Sequence, residues 1–331
     1  MRHIPFRIGP RSRHDLAGLM LRRVGGMRAI VMEEFGGPEV LRARTVEDPV
    51  PGQGQVLVRV EFASITFVET QVRAGKGPFA PPSLPRIPGN GVGGTIVAVG
   101  EGVDEGLVGT VVVTTTGGTG GYASLARASA ADVVPVPEGV ALRDAVALLA
   151  DGRTAVMLHE QAKIQPGERV LVLAAGGGVG GLLLQLAAAA GAEVVGAARG
   201  KRELVERFGS YVDYSEQGWA RSVEADVVFD GVGGAVGTEA MTALRPGGRA
   251  SMYGMASGSW SEVDGLPITV LERPGPPSPE ELRGLVATAL ELAAQGRLRP
   301  TIGQTYPLEE AASAHRAIEA RQTTGKTLLV I

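Results

Sequence analysis

Glu168 to Glu203 reads ERVLVLAAGGGVGGLLLQLAAAAGAEVVGAARGKRE, and this one stretch sets out strand, glycine turn, helix, second strand and basic loop in order. Arg169 to Ala174 is a short apolar run and is predicted as a strand. Gly176, Gly178 and Gly181 follow it in the G-x-G-x-x-G spacing that lets backbone approach a pyrophosphate, where a Cβ would be in the way. The helix predicted from Val179 to Ala190 aims its unpaired N–H groups and positive dipole end at that anion. Gly191 then stops the helix, and Val194 to Ala198 forms the next strand.

With 49 glycines in 331 residues, a glycine triple can arise by chance, so the context carries the assignment: this turn follows a strand and opens a helix. Val170 to Ala192 is free of charge over a length that would span a bilayer. Five of the six residues from Gly176 to Gly181 are glycine, where a spanning helix needs side chains, so no membrane segment is expected. The loop after the second strand selects the nucleotide. A carboxylate there would accept hydrogen bonds from the ribose of NAD. This chain instead has Arg199, Lys201 and Arg202, which suit a 2′-phosphate, arginine as a bidentate donor and lysine as a point charge. NADP(H) is therefore favoured over NAD(H), with exposed helix-start residues as the plainer reading of the same cations.

The length allows about two domains with buried cores. An apolar fraction of 44% and a charged fraction of 20% are those of a globular protein. Zero cysteines exclude disulfides, thiolate catalysis and thiolate-bound zinc. His3, His14, His159 and His315 show no metal-ligand spacing and are expected as core or surface residues, so no metal is expected. Residues 1–26 carry six arginines against one aspartate. That stretch is expected to be a basic, disordered extension. It lacks the apolar core of a secretory signal, and a cytoplasmic location is expected. The rest of the chain has no sustained basic stripe, so no nucleic-acid partner is expected.

From Met27 to about Ala145 short strands alternate with Gly and Pro: Ala29 to Met32, Gln55 to Phe62, Gly93 to Val99, Val108 to Thr115 and Gly121 to Leu125. From Arg143 strands and helices alternate, with further strands at Tyr211 to Asp213, Asp226 to Asp230 and Arg249 to Tyr253. That pattern predicts a parallel, doubly wound sheet. A helix near Pro279 to Gln295 closes this unit, and Glu309 to Arg321 with Thr327 to Ile331 returns to the β-rich part.

Several motifs then fall in one order: FGGPEVLR (Phe35 to Arg42), RAG (Arg73 to Gly75), LPRIPGNGVGGTIVAVG (Leu84 to Gly100), GGYA (Gly120 to Ala123), GRTA (Gly152 to Ala155), PGERVLVLAAGGGVG (Pro166 to Gly180), FDGVGG (Phe229 to Gly234), LRPGGR (Leu244 to Arg249) and a terminal RQTTGKTLLV. In these the chain from Met27 to Ile331 resembles the zinc-independent quinone oxidoreductase (zeta-crystallin-like) branch of the medium-chain dehydrogenase/reductase superfamily. The resemblance implies an α/β protein: a GroES-like β-rich catalytic domain (27–145 plus 296–331) beside a Rossmann doubly wound parallel-sheet domain (146–295), with NADPH in the cleft and a homodimer formed at the sheet edge near Ile268 to Leu271. It carries cofactor contacts to Thr154, to Gly177, Gly178 and Val179, to Gly231 and Val232, and to Tyr253, Gly254 and Met255, with Tyr214 and Arg321 at the 2′-phosphate. The family's lysine there falls on Glu203, so Arg199, Lys201 or Arg202 must substitute. On the substrate side the family's Asn is Thr66 and its pocket Tyr is Gln71, and the next loop offers Phe79.

Hydride delivery without a metal works by position and by a donor that steadies charge on the acceptor oxygen. Thr66 and Gln71 are the catalytic candidates, and water supplies the proton. The expected acceptor is a small molecule, a quinone or an α,β-unsaturated carbonyl. The alternatives are an enoyl reductase acting on a thioester or natural-product intermediate, and a non-catalytic, crystallin-like NADPH-binding or RNA-binding protein.

Overall fold

The computed structural model describes residues 26–77, 82–272, 275 and 277–331. The expected N-terminal extension and Phe79 lie outside the described residues. The chain opens with an antiparallel pair, β1 (Met27–Val31) and β2 (Arg42–Val46). The long strand β3 (Gln55–Ile65) follows, then a short helix α1 (Phe67–Arg73), β4 (Gly91–Val99), β5 (Val111–Thr115), β6 (Leu125–Ser129) and β7 (Val134–Pro135). Helix α2 (Leu142–Ala162) leads into β8 (Arg169–Leu173), α3 (Gly178–Ala189), β9 (Glu193–Ala198), α4 (Arg202–Val205), β10 (Ser210–Asp213), β11 (Ala225–Asp230), α5 (Gly234–Met241), β12 (Leu244–Met252) and β13 (Thr269–Val270). Helix α6 (Pro279–Ala294), β14 (Ile302–Pro307), α7 (Ala311–Glu319) and β15 (Lys326–Val330) complete the chain.

Strands β8 to β13 form one parallel sheet in the order β10-β9-β8-β11-β12-β13. Chain order runs outward from β8 through β9 to β10 on one side and from β11 to β13 on the other, so it reverses between β8 and β11, and this opens the crevice in which doubly wound sheets bind dinucleotides. Its strands are apolar on both faces, as a sheet covered by helices requires: Val170, Leu171, Val172 and Leu173 are all fully buried. The second sheet, β14-β15-β3-β4-β5-β7 with β6 on β3, is antiparallel except for β14 and β15. The C-terminal strand β15 pairs with β3 through Thr327 and Ile65, so this sheet is built from both ends of the chain. Helix α2 packs on α3 and α6 and also on β4 and β5, which ties the two sheets together.

Thr66 to Arg73 was given no element from sequence, and Phe67–Arg73 is helical, opened by a capping box in which the Thr66 N–H donates to Glu69 Oε2 at 2.6 Å. The strand expected at Gly121 to Leu125 begins at Leu125 instead. Gly120 sits at φ +90°, and the Tyr122 and Ser124 N–H groups donate singly to the Pro88 and Arg28 carbonyls rather than to a ladder. Strand β14, half-buried in alternation, lay in a segment given no element.

Candidate active site

The glycine turn is built by close approach on several sides. Ala174 leaves β8 with φ +51°, a left-handed conformation rare for a residue with a Cβ, and its carbonyl accepts the Gly177 N–H at 2.8 Å. A Cβ on Gly180 would collide with that same carbonyl, whereas one on Gly181 would meet only ordinary contact at 3.5 Å. The helix–strand packing position is therefore Gly180, one residue before the glycine chosen from spacing. Gly178 and Val179 open α3, so their N–H groups precede its first internal acceptor and point into the crevice. Gly191 has φ +83° and ends the α3 region as the sequence implied.

Beyond β9 the three cations separate in role. Lys201 packs its side chain against Gly176, donates Nζ to the Thr323 carbonyl, and is shifted down from the usual lysine range by burial. Arg202 bonds Glu206 at 3.0 Å and lies 4.5 Å over the Tyr211 ring. Arg199 is exposed. Among the described residues it has neither hydrogen bond nor ion pair. Asp213 fixes the loop by accepting from Ser215 Oγ at 2.6 Å, Tyr211 Oη at 2.8 Å and the Gly200 N–H at 3.3 Å. These donors hold its carboxyl well below the ordinary carboxylate range, the Ser215 hydroxyl most of all. Tyr214 is half-buried, edge-on to Trp219.

The loop after β11 is set by Asp230, a fully buried carboxylate. Its Oδ1 accepts the N–H groups of Val232 at 2.8 Å and Gly233 at 2.9 Å, and its Oδ2 accepts Ser261 Oγ at 2.5 Å. A buried acid with three donors is a rigid anchor, and it presents Gly231 and Val232 at the end of the sheet. A Cβ on Gly231 would come within 2.6 Å of Tyr253 Oη, and one on Gly254 would meet the Gly231 carbonyl, so the ends of β11 and β12 lie against each other here. Burial, with the charges of Asp230 and Asp151 behind it, pushes the Tyr253 phenol up. Thr154 is half-buried on α2, its hydroxyl donating to Ala150 O at 2.8 Å. That leaves its oxygen lone pairs as acceptors.

Across the cleft, α1 carries the substrate-side candidates. Thr66 directs its hydroxyl at Glu69 Oε2 (3.2 Å), and Glu69 Oε1 accepts the Asn90 N–H at 2.9 Å. Burial raises the Glu69 carboxyl, partly offset by the Thr66 N–H and by the charge of Lys326. Tyr122, fully buried, hydrogen-bonds His315 Nε2 at 3.0 Å. Gln71, by contrast, lines an open depression of about 250 Å³ with Phe67, Thr70, Lys76, Glu319 and Arg321. Arg321, at φ +58°, stacks 4.5 Å over the Phe67 ring and donates Nη2 to Ala256 O at 2.5 Å. It thereby links α1 to the loop after β12. Glu319 is held by the buried Arg73 at 2.5 and 3.2 Å, so Lys76 and Arg321 set the sign of the depression. Sequence reasoning passed over Glu69 and Asp230. The T-x-x-E spacing of Thr66 and Glu69 was a readable signal for the first, but nothing local marked the partners of the second.

Residues 52–138 match the family model described as alcohol dehydrogenase GroES-like domain, and residues 208–329 match that described as zinc-binding dehydrogenase. The chain is 31% identical over 327 residues to a quinone oxidoreductase of Pseudomonas aeruginosa, covering 92% of this chain and 99% of that protein. It is 30% identical to a 2-haloacrylate reductase of Burkholderia sp, covering 91% and 98%. Among solved structures, Escherichia coli quinone oxidoreductase complexed with NADPH superposes with a TM-score of 0.84 at 28% identity, over 92% of this chain and 100% of that one. Glycine turn, cleft and motif order agree with these likenesses along almost the whole described chain, and the protein belongs to the zinc-independent quinone oxidoreductase branch of the medium-chain dehydrogenase/reductase superfamily.

Proposed function

We propose that this protein is an NADPH-dependent reductase that passes hydride to a quinone or an α,β-unsaturated carbonyl. The observation that carries the reading is one cleft with a dinucleotide cradle on one wall and an open, donor-lined depression on the other. The cradle suits NADPH: Gly176, Gly177 and Gly178 carry no Cβ at the turn, Gly180 lets α3 pack close on the end of β8, the first N–H groups of α3 have no acceptor within the helix, and Arg199 is available for a 2′-phosphate. NADPH, when bound, supplies the hydride. The chain's own part is to orient and to polarise. The Gln71 carboxamide donates to the acceptor oxygen, since the Thr66 hydroxyl is engaged with Glu69. Solvent entering the open depression returns the proton. The reading assigns 27–145 with 296–331 to the catalytic unit and 146–295 to the nucleotide unit. It also includes a homodimer at the exposed β13 edge, where Val270 is 40% exposed.

A second reading, an acceptor bearing a carboxylate, is favoured by Lys76 and Arg321 in the depression and by the likeness to a haloacrylate reductase. The experiment is loss of NADPH absorbance, with NADH in parallel, against a benzoquinone, a naphthoquinone, an enone, an acrylate and an enoyl thioester. Quinone or enone turnover with NADPH preference supports the first reading, and acrylate turnover alone the second. Thioester turnover alone means an enoyl reductase. Tight NADPH binding without turnover of any acceptor would leave a non-catalytic binding protein.

A further inference from the structure

The glycine turn has two flanks of opposite charge. A Cβ on Gly176 would meet Lys201 Cδ at 2.5 Å, whereas a Cβ on Gly178 would run into the Asp151 carboxylate. Lys201 stands at the end of β9, the adenosine side in a sheet of this order. Asp151 stands where the other sheet comes up to the turn: the Gly325 N–H donates to Gly176 O at 2.8 Å, and the next residue, Lys326, donates Nζ to Asp151 Oδ1 at 2.9 Å. The Lys326 side chain is 4% exposed and that of Asp151 14%. The charge of Asp151 also reaches the Tyr253 phenol at the end of β12, so the carboxylate lies between the turn and the β11–β12 ends. Among the described residues no donor reaches its Oδ2. Burying an ion pair is costly and calls for full use of its hydrogen-bonding capacity, yet one oxygen, the one lying beside Gly178 at the turn, has no donor among the described residues.

We propose that Asp151, held by Lys326, receives the hydroxyl groups of the nicotinamide-side ribose. The proposal rests on the NADPH reading above. A pyrophosphate on the N-terminus of α3 leaves two directions for the rest of the ligand: one runs to Arg199, and the other passes Gly178 and Asp151. Ribose offers vicinal O–H donors, and an ionised carboxylate only accepts, the pairing that NAD enzymes use for the adenine ribose. Lys326 neutralises Asp151, so an incoming pyrophosphate meets no net repulsion there.

The test compares 2′-phospho-ADP with 2′-phospho-ADP-ribose, which differ by this ribose, in calorimetric titrations of the full chain. Wild type should bind the ribose-bearing fragment about tenfold or more tighter, as hydrogen bonds to a charged acceptor imply. The double variant D151N/K326M, which removes both members of the buried pair together, should bind the two fragments equally, with 2′-phospho-ADP unchanged from wild type. Equal binding of both fragments by wild type overturns the proposal while leaving the NADPH reading standing. So does a double variant that binds both more tightly, because Asp151 would then only repel. If wild type binds neither fragment nor NADPH, the cofactor reading fails and takes the proposal with it.

Discussion

Arg199→Ala tests how the basic loop selects its nucleotide. Lys201 is committed to the Thr323 carbonyl and Arg202 to Glu206 and the Tyr211 ring. Removing Arg199 therefore breaks no internal contact and subtracts only what it gives to a 2′-phosphate. A hydrogen bond to a charged group contributes about 1.5–3 kcal/mol. The Coulomb energy of two unit charges at 4 Å runs from about 1 kcal/mol in water to about 4 kcal/mol at an effective dielectric of 20. Arg199 is exposed, so the low end applies: about 1.5–2 kcal/mol, or roughly 10- to 30-fold in Kd. Fluorescence or calorimetric titration at one fixed ionic strength should show NADPH weakened by that factor and NADH unchanged within about twofold, with the difference shrinking as salt is added. Lys201→Ala should cost less selectivity. The reasoning fails if Arg199→Ala leaves the NADPH to NADH ratio intact, or if Lys201→Ala carries the whole loss.

Asp230→Ala should destabilise the fold by about 3–5 kcal/mol, because it strands two N–H groups and the Ser261 hydroxyl in a buried site; urea unfolding measures it. Gly180→Ala should cost about 1–3 kcal/mol and weaken NADPH, since its Cβ would meet a main-chain carbonyl. Gly181→Ala should be tolerated, and equal melting temperatures for the two variants would contradict the packing. Burial first, and the charge of Arg73 second, press the His315 pKa down to about 3. The folded state thus binds fewer protons than the unfolded chain, whose histidine titrates near pH 6.5. The contribution of this histidine is complete above about pH 6.5 and is lost as pH falls toward 3. At pH 4.5 the loss is about 2–3 kcal/mol, so His315→Gln should flatten the decline of stability between pH 6.5 and 4.5 by that amount.

The parallel sheet was legible because its evidence is local. A run such as Val170 to Leu173, a glycine cluster and an apolar helix lie next to one another, and Gly191 marks the stop. Helix α1 was hidden because seven residues give too little periodicity to count, and its capping box lies inside a motif read for its chemistry. Strand β14 alternates weakly, and its partner β15 follows only after an intervening helix. At the site, the glycine turn and Arg199 were readable as residue types at fixed spacing. What was not readable is which polar groups are already taken. Thr66 loses its hydroxyl to Glu69, Lys201 its ammonium to Thr323, and Asp151 meets Lys326 from far along the chain. The first is local and its T-x-x-E spacing carries it; the other two are decided by tertiary approach, and no spacing encodes them. His315, expected as a core or surface residue, is fully buried against Tyr122.

The seven-stranded sheet closes only when β15 reaches β3, with Thr327 beside Ile65. On the ribosome, β3 emerges early, and its partner follows after roughly 260 further residues, which at about 5–20 residues per second is a wait of roughly 13–50 seconds. Throughout that interval the Phe62–Ile65 end of β3, beyond the part that β6 covers, stands as an open edge, the kind of surface that recruits other chains. Joining free chain ends across such a distance would cost about 5 kcal/mol in loop-closure entropy. The parallel sheet can fold first and draw the ends together, because α2 leads into it and α6 leads out. A nascent chain stalled before Lys326 would therefore carry a finished nucleotide unit and an unsealed catalytic sheet, and would be the species most in need of a chaperone.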